Sequence, residues 1–528
     1  MIKKYLSSLS LTSVLGLVLT TFLVLQIVSR DTFRINDEAV NLTMAKNMSI
    51  DESYIMKPSY EPHQFKKDWK NYSLPLILMP PVYPYLIFKL SKIFDIKIFS
   101  SASIFQAFLF IIFIFCIKHQ SDHKDFLFRV LLLLLSPKLL EYLTNFEHEG
   151  MLCASGFGAV IFSRKKELKW SALVGVLLGI GFLSKTWLVG PFVLGCAASL
   201  VSRYLLMEVD LKTLLIKISL TSFSFITIAF SHLIFIYLND PENLTLWVDQ
   251  VYFGVLKPGV NSKLFTNKSQ GWANQWWYYP GVFLRENFLI TAFCLINISS
   301  RKDIYKIFSN EKVCYTVTLL SFIPLSFVNI KEQAYILPCL LSPLFLLSPE
   351  QIKLNKILLI KIFLITIYIG VINHPTLSNI VKDSRLSLNY GFIFILLFLA
   401  WSYKKRSALL MVLTSFSILF SIKAEKDSHQ KLSEIKEVSK ILQSDKEFNS
   451  NNQVCASEYG ILGFYTGRKV IKFDWLQRFT PWVTKKAIFI VAPSSYSFDP
   501  ESDAFKAIIK NYYPLKKFKY HTVFKKKF

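Results

Sequence analysis

At 528 residues, of which 52% are hydrophobic and 15% aromatic, with a mean hydropathy of +0.38, the chain is too apolar for a soluble protein. Its formal charge of +25 raises nucleic acid as a partner. Lys and Arg nevertheless fall in short clusters between apolar segments, where the positive-inside rule accounts for them. No nucleic acid is expected, and membrane lipids are.

The N-terminus, Met1-Ile2-Lys3-Lys4, opens like a signal peptide. The apolar stretch at 6–28 is of spanning length, however, and lacks a small-residue cleavage site, so it reads as an uncleaved first helix. Further apolar runs fall at about 99–117, 126–143, 151–162, 171–183, 187–206, 214–238 and 279–298, then at about 313–327, 334–347, 357–372, 390–403 and 408–422. Several need neighbouring residues to reach across a bilayer. The fold class is therefore a polytopic α-helical membrane protein with about thirteen transmembrane helices.

Residues 74–94 are apolar but carry Pro75, Pro80, Pro81 and Pro84, and proline breaks a helix interior. Counting them as a span would invert every basic loop that follows, so a surface or re-entrant segment is predicted. The basic loops after Lys118, at Arg164-Lys165-Lys166, after Arg301 and at Lys404-Lys405-Arg406 alternate as cytoplasmic loops should. That leaves the loops at about 29–98 and 239–277 outside, with the turns at 147–149, 185–187 and 329–333 and the tail.

The domain division is 1–423 for the membrane region and 424–528 for a small extracytoplasmic α/β domain. In the tail Leu432, Ile435, Val438 and Ile441 recur at helical spacing before short apolar runs at 454–456, 469–473 and 487–492. Seven cysteines are present. Cys116, Cys153, Cys196, Cys294, Cys314 and Cys339 lie in or beside apolar runs and only Cys455 in a polar stretch, so no disulfide framework is implied.

Ionisable groups at a membrane face are costly unless solvated or paired, so several arriving on one side point to a polar cavity opening there. Asp37, Glu38, Glu147 and Glu149 arrive in this way. A carboxylate that takes a proton from an acceptor hydroxyl, beside a second that orients, suits glycosyl transfer. Solvated loop charges are the alternative.

Several segments, in chain order, resemble the GT-C superfamily of membrane glycosyltransferases that use polyprenyl-phosphate sugars. They are Asp37-Glu38-Ala39 after the first helix, Pro80-Pro81-Val82-Tyr83, Glu149-Gly150-Met151-Leu152, and Gly175 with Gly179-Ile180-Gly181-Phe182-Leu183-Ser184-Lys185. Further on come Gln275-Trp276-Trp277-Tyr278-Tyr279-Pro280, Lys331-Glu332-Gln333-Ala334-Tyr335-Ile336-Leu337-Pro338, and Phe464-Tyr465-Thr466-Gly467-Arg468-Lys469 in the tail. The branch is that of the protein O-mannosyltransferases and the lipid A aminoarabinose transferases.

The resemblance implies Asp37 as catalytic base, Glu38 as its companion and Glu149 as the second-loop acid, with Glu147 as fallback and His148 between them. It implies Tyr335, with Lys185 and Lys331, as donor-phosphate contacts. The chain departs from the aminoarabinose branch at Met79 and Val40, where basic residues are expected, and Lys257 or Lys263 are possible substitutes. The implied partners are a polyprenyl-phosphate sugar donor and a lipid, glycan or protein acceptor.

The implied location is the bacterial inner (plasma) membrane, with the site facing the periplasm or exterior. No Walker motif, dinucleotide fingerprint or Cys/His metal spacing occurs, so no cofactor is implied and a divalent metal is left open. A lipid-linked sugar flippase or secondary transporter is the competing class, distinguished by ionisable groups at the bilayer midplane. A catalytically dead scaffold is the third.

Overall fold

The computed structural model describes residues 11–30, 36–51, 60–61, 82–120, 137–239, 312–326, 333–346, 433–445, 453–456, 459–467, 470–472, 487–493 and 508–527, with single positions at 33, 126, 129, 130, 133, 279 and 448. The runs at 357–372, 390–403 and 408–422 lie outside them, as does 279–298 apart from Tyr279.

In chain order come α1 (Leu11–Val28), α2 (Asn36–Asp51), β1 (Tyr60–Glu61), α3 (Val82–Phe94), α4 (Ile98–His119), α5 (Pro137–Thr144), α6 (His148–Ser163), α7 (Leu168–Lys185), α8 (Gly190–Leu205) and α9 (Leu211–Asn239). They are followed by α10 (Val313–Leu320), α11 (Leu337–Leu341), α12 at 433–444, β2 (Gln453–Ala456), α13 (Tyr459–Thr466), β3 (Val470–Lys472), β4 (Ala487–Pro493), β5 (Tyr512–Lys517) and β6 (His521–Lys526). Among the described residues three stretches are long and apolar enough to cross a bilayer: Ile98–His119, Leu168–Lys185 and Leu211–Ile234.

Proline marks the places where the helices depart from the apolar runs. Pro84 falls in the first turn of α3 and Pro137 opens α5, positions where a missing N–H costs nothing. Pro191 stands at the start of α8 and Pro338 at the start of α11, each helix preceded by a 3-10 turn, Thr186–Val189 and Gln333–Ile336.

Helices α7 and α9 approach closely through Gly175 and Gly179. A Cβ at Gly175 would lie 2.2 Å from the Thr221 carbonyl oxygen, and one at Gly179 would lie 2.6 Å from Ile228 Cβ. Small residues four apart let backbones meet where lipid supplies no hydrophobic drive, and Thr221 uses the proximity to donate to the Ser171 carbonyl at 3.0 Å. Gly175→Ala is therefore expected to destabilise by about 1–3 kcal/mol through overpacking. Thermal unfolding in detergent checks this against Gly190→Ala, where a Cβ meets nothing within 4 Å.

At the far end of α6, Arg203 donates to the carbonyls of Arg164 and Lys165 and pairs with Glu208, while Lys217 donates to Lys165 at 2.8 Å. Cations there complement the carbonyl end of the helix. The basic loop and the Glu149 end thus lie at opposite ends of α6.

The six strands form one sheet in the order β1-β3-β2-β4-β6-β5. β1, β3, β2 and β4 run parallel, and β6 is antiparallel to both β4 and β5. The edge strand β1 comes from the first loop, so the sheet is not built from the tail alone. Asp445 pairs with Lys525 at 2.9 Å and Glu434 bonds His521 at 3.0 Å, fixing α12 to β6. Cys455, expected in a polar stretch, is fully buried on β2. Burial pushes its thiol above the ordinary range, so this cysteine behaves as core.

One apolar core is continuous from the sheet into the membrane helices. Leu42, Ala45 and Met48 of α2, Ile87 of α3, Phe105 of α4 and Met151 of α6 share it with Ile435, Val454 and Leu462 of the tail.

Candidate active site

The chain between α5 and α6 is irregular over residues 145–147. These residues are buried, so each backbone group released there has to find a partner within the protein. Side chains from α2, α4 and Arg30, two residues past α1, supply most of them. Gln106 Nε2 donates to the Leu143 carbonyl at 2.6 Å and Arg30 Nη1 to the Thr144 carbonyl at 3.1 Å. The Phe146 N–H donates to Glu38 Oε1 at 2.9 Å, and Asn41 Nδ2 donates to the Phe146 carbonyl at 3.0 Å. Glu147 N–H closes the set on the Asn145 carbonyl at 2.8 Å.

The same break docks the first loop. Arg30 Nη2 reaches both carboxylate oxygens of the fully buried Glu38 at 2.8 Å, and its guanidinium lies 4.2 Å from the centre of the Phe146 ring. Asn41 Oδ1 accepts from His148 Nε2 at 3.2 Å, since the Asn41 amide nitrogen is already used on Phe146. Tyr83 donates to Gln106 Oε1 at 2.7 Å and its ring lies 5.2 Å from that of His148. These contacts bring the first turns of α2 and α6 to one place.

Asp37 and Glu38 sit in the first turn of α2, where the helix end favours negative charge; the Asp37 side chain lies outside what the structure describes. Glu38 is engaged by Arg30 and Phe146 N–H. Glu147 precedes α6 and is buried, as are His148 and Glu149.

Glu149 pairs with Lys185 at 2.6 Å, both side chains largely shielded from solvent. Its second oxygen, Oε2, is buried without a hydrogen-bond partner among the described residues. Such an orphan costs free energy unless a donor reaches it. Lys185 ends α7, its Nζ 5.7 Å from the centre of the half-buried Tyr335 ring. Glu149, Lys185 and Tyr335 therefore form one chain of contacts.

Thr186, directly after Lys185, has φ 48°, a left-handed value that strains a β-branched residue. It turns the backbone sharply into the 3-10 segment and ends α7 at the lysine. Lys331, Lys257, Lys263 and Met79 lie outside the described residues, and Val40 is half-buried in α2.

Arg30, Asn41 and Gln106 were not marked by sequence reasoning. Each holds a backbone group far away in the chain, 114, 105 and 37 residues distant, and no local pattern announces such a partner. A polar residue inside an otherwise apolar helix, as Gln106 is, was the one available signal.

No protein-family model matches the chain, and no curated protein matches it. Among solved structures it is similar to ArnT from Cupriavidus metallidurans bound to undecaprenyl phosphate, with a TM-score of 0.63 at 12% identity over 97% of each chain. The apo state of that protein matches with a TM-score of 0.59, again at 12% identity and 97% of each chain. The chain shares the fold of ArnT. So low an identity speaks for the fold and leaves the substrate to be argued from the residues.

Proposed function

We propose that the chain is a membrane glycosyltransferase that moves a sugar from a polyprenyl-phosphate carrier to a hydroxyl of a lipid, glycan or protein acceptor on the extracytoplasmic face. The observation that carries this reading is the convergence of Glu149, Lys185 and Tyr335 at the end of the bundle where the first turn of α2 contains Asp37. The solved counterpart of this fold has undecaprenyl phosphate bound.

In this reading Asp37 takes the proton of the acceptor hydroxyl as its oxygen attacks the anomeric carbon. The bond from that carbon to the phosphate oxygen breaks, and polyprenyl phosphate leaves. A single displacement of this kind inverts the anomeric centre. Lys185 and Tyr335, with Lys331 as a further candidate, stabilise the charge that develops on the leaving phosphate.

Glu149 tethers Lys185 and offers Oε2 to a donor group of the incoming substrate. Glu38, the implied companion of Asp37, fixes the start of α2 through Arg30. The transporter alternative calls for ionisable residues at the bilayer midplane, whereas Glu149 and Lys185 stand at helix ends.

Tyr335→Phe removes one hydroxyl donor and little volume. A hydrogen bond to a charged group is worth about 1.5–3 kcal/mol, so donor use should fall roughly ten- to a hundredfold. Transfer kinetics at varied donor concentration, with free polyprenyl phosphate as competitor, check this. If both Tyr335→Phe and Lys185→Ala use donor and bind competitor like the parent, the phosphate site lies elsewhere.

A further inference from the structure

Helix α2 is gripped on both sides by the same stretch of the tail. Before it, Phe33 is buried and packs edge-on against Phe464 at 5.0 Å and Tyr465 at 5.9 Å, both from α13, as well as against Phe99 of α4 at 5.3 Å. After it, β1 pairs in parallel with β3, Tyr60 opposite Val470 and Glu61 opposite Ile471. Between these two points Lys46 of α2 lies 5.4 Å from the centre of the Phe464 ring.

α13 is followed by Gly467, which takes φ 66°, a conformation glycine adopts without strain, and β3 begins three residues later. The two holds therefore belong to one continuous tail segment, residues 459–472. Edge-to-face aromatic pairs and strand pairing both fix geometry as well as add stability. Phe33 stands three residues before the helix whose first turn contains Asp37 and Glu38, and Lys46 stands within it.

We infer that the tail is a positioning element of the reaction, and that Phe464 is its main contact, setting the first turn of α2 relative to the Glu149–Lys185 pair. This rests on the glycosyltransferase reading above for its catalytic consequence, and on the geometry alone for the hold itself. Phe464 is a positioning residue: it acts through α2.

Two measurements on the full-length protein in detergent test it. Amide hydrogen exchange of α2 reports the hold without reference to any substrate. Transfer kinetics from polyprenyl-phosphate sugars report the consequence.

Phe464→Ala should speed exchange across α2 by at least about tenfold, since the ring contact with buried Phe33 is lost. Exchange in α6 and α7 should stay as in the parent. Turnover should fall by about tenfold with the KM for donor within about twofold, because misplacing the base affects the chemical step more than binding. Phe464→Leu, which refills most of the volume, should restore both.

Unchanged α2 exchange in Phe464→Ala overturns the proposal, as does equal loosening of α6 and α7, which would mark a general loss of stability. Faster α2 exchange with unchanged turnover also overturns it. Faster α2 exchange in a protein whose parent transfers no sugar would remove the glycosyltransferase reading and leave the hold on α2 standing.

Discussion

Asp37→Asn is expected to leave a folded protein whose sugar transfer is slower by about two to four orders of magnitude. The amide keeps the shape of the carboxylate but cannot take the acceptor's proton. Two to four decades correspond to about 2.7–5.4 kcal/mol in the barrier. Loss of a negative charge from the first turn of α2 costs only about 0.3–1 kcal/mol of stability. The kinetic effect thus exceeds the folding effect severalfold, and the two separate cleanly when turnover and thermal unfolding are measured on the same preparation. Near-parental turnover would move the base to another carboxylate, with Glu149 and then Glu147 next.

The largest effect on stability belongs to Arg30 and Glu38. Removing one member of a buried ion pair costs about 3–5 kcal/mol, so Glu38→Met and Arg30→Met should each unfold far more readily. The double variant should recover part of the loss, because no buried charge remains. It cannot recover all of it. The bonds made by these two side chains to the Phe146 N–H and the Thr144 carbonyl would still be lost, at about 0.5–1.5 kcal/mol each. Denaturation of the three variants in detergent gives the coupling directly. A single variant as stable as the parent would show that the pair does not hold the break between α5 and α6.

The membrane helices were legible in sequence because an apolar run of spanning length has few other readings. The runs at 99–117 and 171–183 became α4 and α7 with ends shifted by two residues or fewer, or by three at the start of α7. The run at 187–206 opens with a 3-10 turn before Pro191 starts the 16-residue α8, and Pro338 and Pro343 divide the run at 334–347 into a 3-10 turn and two short helices.

Glu149, Lys185 and Tyr335 were chosen on separate motifs, and the ion pair and ring contact that join them could not be read from spacing. The contribution of β1 to the tail sheet was equally hidden, since two residues in a long loop carry no strand pattern. The glycines at 175 and 179 were noted as part of a resemblance, and their physical reason is the approach of α9. The resemblance implies Glu38 as companion of Asp37, and one of its partners, Phe146, lies far away in the chain. Neighbouring residues on a helix face different directions, and Glu38 turns to Arg30 and Phe146.

The central claim is transfer of a sugar from a polyprenyl-phosphate carrier, and the most direct measurement is made with purified protein in detergent or vesicles. A panel of polyprenyl-phosphate sugars is offered with a membrane-lipid extract as acceptor, and both glycosylated product and released polyprenyl phosphate are quantified. The account predicts that at least one donor gives product and carrier in equal amounts, and that Asp37→Asn suppresses both together. Movement of intact donor across the vesicle bilayer, with no carrier released from any donor, would contradict it.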